Sequence, residues 1–74
     1  MATCQTSEEQ IELSFRAGQQ DLQQREFGRA AEEFKKVLIL DPTLVEADVN
    51  LGLAYQGLFE YDLATRYLAK GLRE

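Results

Sequence analysis

Catalysis near neutral pH draws on a histidine, an activated cysteine, or carboxylates whose surroundings shift their pKa. The chain holds no histidine and a single cysteine, Cys4. Its acidic doublets, Glu8-Glu9 and Glu32-Glu33, are adjacent in sequence, so on a helix their side chains diverge by about 100° and do not converge as an acid–base pair. Metal-ligand spacing and phosphate-cradling glycine loops are missing from the sequence. The expectation is therefore a chain that is not an enzyme and uses no cofactor or metal.

Composition narrows the partners. Thirteen acidic residues against eight basic ones give a net charge of −5, which disfavours nucleic acid and acidic membrane surfaces, since both recruit clustered Lys and Arg. With 45% hydrophobic and 28% charged residues, the 74-residue chain has the balance of a folded globular unit, though one short enough to bury little surface alone. No apolar run reaches the roughly 20 residues of a membrane span. Residues 1–7 lack the basic start and apolar stretch of a signal peptide, so the cytoplasm is the default compartment. A lone Cys4 forms no internal disulfide and reads as a free thiol in a polar tail.

The elements that would carry any function are helical. The organising stretch is 29–52, in which Ala30, Phe34, Val37 and Leu38 recur at helical spacing and so share a buried side. Asp41-Pro42 stops that helix, and Thr43 with Glu46 three residues on has the capping-box spacing that starts another. The apolar stripe resumes through Leu44, Ala47, Leu51, Tyr55 and Leu58. Upstream, Thr6 and Glu9 form a second capping box, with Ile11, Phe15, Gly18 and Leu22 following at helical spacing. There, Phe15 and Leu22 are expected to look outward. The predicted helices are one from Thr6, one over 27–40 with Lys35 and Lys36 set against its negative end, one over 44–57, and one from Tyr61 through Ala64, Tyr67, Leu68, Gly71 and Leu72. No period-2 segment competes with them, so the fold class is all-α with about four helices and no strands.

Sliding the chain along itself by 34 residues superposes Glu12 on Glu46, Gly18 on Gly52, Glu26 on Glu60, Ala30 on Ala64, Lys36 on Lys70 and Leu38 on Leu72. A fixed period of this length marks a repeat architecture. Leu51-Gly52, Tyr55 and Ala64 in the second copy, and Gly18, Ala30, Phe34 and Pro42 in the first, carry a resemblance to the tetratricopeptide repeat (TPR) family, whose pattern is L-G-x2-Y, A-x3-F, P. The resemblance spans roughly residues 11–74. It implies antiparallel helical hairpins stacked as a short α-solenoid, with a flexible tail over 1–6, a first hairpin over 7–44 and a second, incomplete one over 45–74.

Two departures stand out. TPR hairpins usually turn on a glycine where this chain has Arg25 and Phe59, and a left-handed residue other than glycine costs roughly 1 to 2 kcal/mol. The turns are therefore expected to be strained, altered or lost, with fusion of the third and fourth helices as the extreme case. The family's frequent tryptophan is also absent, with Ser14 and Asp48 in its place.

The resemblance implies a protein-interaction module, because the first helices of TPR hairpins line a concave groove for a peptide or partner helix. The residues such a groove would show are Phe15, Gln19, Leu22, Val49, Asn50, Leu53 and Gln56. Phe15, Val49 and Leu53 would seat side chains, and the amides would pair with the ligand backbone. Some TPR proteins clamp a chaperone's C-terminal carboxylate with Lys and Asn over three repeats. Asn50 matches one such asparagine, but Phe15 stands where a lysine belongs and Gln19 where an asparagine would, so that activity is not expected. The alternative is structural: a self-assembling unit, swapped dimer included, or a fragment of a longer TPR scaffold. Two repeats leave two uncovered ends, and Leu68 and Leu72 are the expected contacts between copies.

Overall fold

The computed structural model describes residues 6–73. The expectations for residues 1–5, Cys4 among them, lie outside these. Among the described residues the protein is all-α: α1 (Ser7–Gln23), α2 (Phe27–Leu40), α3 (Val45–Gly57) and α4 (Tyr61–Leu72), with no strand.

The starts of α1 and α3 differ in how the local sequence serves them. Thr6, expected at the end of the tail, is the N-cap of α1: its Oγ1 accepts from the Glu9 N–H at 3.1 Å while Glu9 Oε1 accepts from the Thr6 N–H at 2.9 Å. This reciprocal bonding satisfies two donors that a helix start leaves free. At the start of α3 the expected Thr43 box does not form. Thr43 turns back to Asp41 instead, its N–H and hydroxyl donating to Asp41 Oδ1 at 3.1 and 2.7 Å. Leu44 is then the N-cap, with no side-chain bond. An aspartate two residues upstream is the nearer acceptor, and the local turn it makes competes with capping. Lys35 and Lys36 stop short of the last turn of α2. They pair with Glu32 and Glu33 at 3.3 and 3.4 Å, one turn earlier on their own helix.

The reversals between α1 and α2, and between α3 and α4, are the same structure 34 residues apart. Arg25 and Phe59 both take φ 63, the left-handed region that glycine adopts without cost. In the first reversal the N–H groups of Gln24, Arg25 and Glu26 donate to the carbonyls of Gln20, Leu22 and Asp21 at 3.0, 3.0 and 2.8 Å. In the second, those of Leu58, Phe59 and Glu60 donate to Ala54, Gln56 and Tyr55 at 3.1, 3.0 and 2.9 Å. This is a Schellman closure, which satisfies the last carbonyls of a helix by folding the chain back on them. The backbone bonds hold the turn against the side chains' preference, so α3 and α4 are separate helices rather than one fused helix.

α1 packs on α2, α2 on α3 and α3 on α4, and α1 also touches α3. The core is built from Ala30, Ala31, Phe34, Leu51 and Ala54, with Phe34, Leu51 and Val37 the largest fully buried side chains. Phe15, Leu22, Leu38, Tyr55 and Tyr67 pack on its edge. Phe15 and Leu22 are thus half-buried rather than outward-facing. Gly18 explains this, because a Cβ there would sit 2.7 to 2.9 Å from the Phe34 ring, so only glycine lets α1 come this close. Gly52 plays the same part for Leu68, whose Cγ would lie 2.7 Å from an added Cβ. Leu58 ends its stripe 40% exposed.

Candidate binding groove

A hollow of about 740 Å³ opens between α1, the α2–α3 link and the first half of α3. Its apolar lining is Ile11, Phe15 and Leu44, all half-buried. The Phe15 ring is fixed from behind, meeting Phe34 edge-on with centroids 5.4 Å apart at 79°. Such a T-shaped pair favours one ring orientation. Leu44 comes to the hollow because the link turns tightly, its N–H donating to the Asp41 carbonyl at 3.3 Å. Gln19 and Asn50 supply amides from the two facing helices.

The polar lining has a sign. Glu8, Glu12, Asp41 and Glu46 face the hollow, against one cation, Arg16. That guanidinium is already engaged, its Nη2 donating to Glu12 Oε2 at 3.0 Å. Away from the hollow, Glu32 at 3.3 Å raises the pKa of the Lys35 ammonium above its ordinary 10.5, and Tyr55 adds to the effect. One buried carboxylate, Asp48 in the α3–α4 seam, has Lys70 Nζ at 3.8 Å and, among the described residues, no hydrogen bond to its Oδ1. Among the described residues no three Asp, Glu, Cys or His side chains converge as a metal site, and no helix is long and apolar enough to cross a membrane.

Of the seven groove residues expected from the sequence, the structure brings Phe15, Gln19 and Asn50 together at this hollow. Val49 borders an adjoining one of about 340 Å³ with Val45, Glu46, Asn50 and Gly71, where its Cγ2 presses on Gly71. Leu22 is spent on the core edge. Leu53, 41% exposed, and Gln56, also exposed, line neither hollow. Leu68 is half-buried on Gly52 and Leu72 is 71% exposed. No family model, curated protein or solved structure matches this chain. The residues that sequence reasoning missed are Ile11, Arg16, Leu44 and the four carboxylates. One signal was available, since Glu12 and Glu46 are themselves a 34-residue pair.

Proposed function

We propose that this chain is a protein-interaction module that holds a peptide or a partner's helix in the groove between α1 and α3. The observation that carries the reading is an open hollow with an apolar lining of Ile11, Phe15 and Leu44, two amides, and four carboxylates against one engaged cation. Apolar contact supplies affinity in such grooves, while charge sets orientation and on-rate. The partner segment is therefore basic, with Lys or Arg flanking one bulky apolar residue.

The TPR reading supports this placement. Two antiparallel hairpins stacked as a solenoid account for the 34-residue period, the twin reversals, and the matched contacts of Gly18 with Phe34 and Gly52 with Leu68. In that arrangement α1 and α3 are the first helices of their hairpins, which are the groove-lining ones.

Selection of peptides from a random display library tests it. Enriched sequences should combine Lys or Arg with a large apolar residue, and their affinity should fall as salt screens the rim. Reversing the rim with Glu12→Lys and Glu46→Lys, both exposed, should weaken the best peptide by about 1 to 3 kcal/mol with helicity unchanged. Leu53→Ala should leave binding intact. Binding lost at Leu53 and kept by the rim variant would overturn the reading and move the site along α3.

A further inference from the structure

A different surface carries an inference about self-association. Inside the chain, α3 lies on α2: the Phe27 ring covers Gly57, and Ala31 and Phe34 share a core with Leu51 and Ala54. The backbone repeats at 34 residues, reversal for reversal, so α4 is the counterpart of α2, and α1 of α3. The chain therefore carries both halves of its internal α2–α3 joint a second time, one at each end.

Those two surfaces have the composition of contact faces. On α4 the counterparts of Phe27, Ala31, Lys35 and Leu38 are Tyr61, Thr65, Ala69 and Leu72. All four are uncharged and exposed, Tyr61 at 58% and Leu72 at 71%. Thr65 is the one polar member, and its short side chain leaves the strip nearly as flat as Ala31 leaves α2. On α1 the counterparts of Ala47, Leu51 and Ala54 are Leu13, Ala17 and Gln20, a strip that carries no charge although Glu12 and Arg16 lie beside it. Leu13 is 50% exposed where its counterpart Ala47 is fully buried. Ile39 at 79% and Leu40 at 38% extend the same apolar end, sharing a hollow of about 320 Å³ with Leu13. Exposed apolar residues that line up on helix faces, in a chain that is 28% charged, mark an interaction surface rather than scattered surface residues.

We infer that copies of this chain associate head to tail, α1 of one docking on α4 of the next as α3 docks on α2 within each. The contact joins two different surfaces, so it is heterologous and continues beyond two copies instead of closing. A two-fold dimer would instead pair one patch with the same patch of the partner copy. Each copy carries −5, so mutual repulsion opposes the contact and added salt strengthens it. A basic peptide in the groove shows the opposite salt dependence, which keeps the two sites experimentally apart.

Sedimentation of the full 74-residue chain over a wide concentration range is the test. The average mass should rise past two copies, more readily at higher salt. Leu13→Lys should abolish the rise by spoiling one face, and so should Leu72→Lys by spoiling the other. An equimolar mixture of the two variants should form dimers and nothing larger, because each supplies the face that the other lacks. Circular dichroism checks that each variant keeps its helices, with Leu13→Gln and Leu72→Gln as milder replacements where lysine disturbs folding. A monomer mass at every concentration overturns the inference. So does a single variant that still dimerises, or a mixture that stays monomeric.

Discussion

In the first half of the chain Phe34 is fully buried, with Gly18 and the Phe15 ring of α1 both packed against it. In the second half the matching contact is Leu68 on Gly52, and Leu68 stays half-buried. The two reversals are alike to within 0.1 Å in each backbone bond, so turn geometry is not the source of the difference. Two causes separate the halves: α2 has α3 against its far side, whereas among the described residues the backbone of α4 approaches no helix but α3, and leucine is smaller than phenylalanine. The repeat is written in backbone hydrogen bonds and glycine approaches. How well each copy closes depends on the neighbour that covers it.

The largest test of this contrast is truncation at the paired positions. Phe34→Ala should cost about 3 to 5 kcal/mol by emptying a fully enclosed site, most of what a domain this small can spare. Leu68→Ala should cost about 1 to 2 kcal/mol, since part of that side chain already meets water. Urea denaturation of both variants measures the gap, and equal losses would break the comparison.

Next come the glycines. A Cβ at position 18 meets three ring carbons of an enclosed phenylalanine, and such overpacking costs about 1 to 3 kcal/mol. At position 52 the nearest atom is the Leu68 Cγ, 2.7 Å from an added Cβ, with the Leu68 backbone N 3.1 Å away, so α4 as well as the side chain has to give. Alanine also gains about 1 kcal/mol of helix propensity over glycine. Gly18→Ala should therefore lower stability clearly, and Gly52→Ala should lower it by less, because Leu68 is only half-buried. Thermal melts of the pair sharpen the contrast.

The smallest effect is expected at the reversals, where the halves agree. Arg25→Gly and Phe59→Gly each remove a left-handed strain of about 1 to 2 kcal/mol and each add unfolded-state freedom. Both should gain about 0.5 to 1 kcal/mol by the same measurement. A smaller gain at Phe59 would assign stabilising value to its ring, which stands 6.2 Å from that of Tyr61.

Much of this fold is legible in the sequence. Ala30, Phe34 and Val37 sit three and four residues apart, and a spacing along one helix fixes which residues share a face. The strain at Arg25 and Phe59 follows from a residue type standing where a turn needs φ above zero. Thr43 shows where such reasoning falls short, since the capping pattern is present and an upstream aspartate takes the hydroxyl first. The groove is less legible still. Whether Glu8 and Glu46 face one hollow depends on how α1 crosses α3, which the four-residue link after α2 and the close approach at Gly18 decide together. Leu22 and Leu53 suit a groove by position, but packing sends one into the core edge and leaves the other outside the hollow.

The nearest-neighbour order of the helices also shapes how the molecule opens. Among the described residues the backbone of α4 touches only α3, and of its side chains Tyr67 reaches the core edge, so α4 can detach while the joint of α1, α2 and α3 around Phe34 stays intact. Amide protons of residues 61–72 should then exchange with solvent deuterium at a rate set by this partial opening, and those of α2 only on global unfolding.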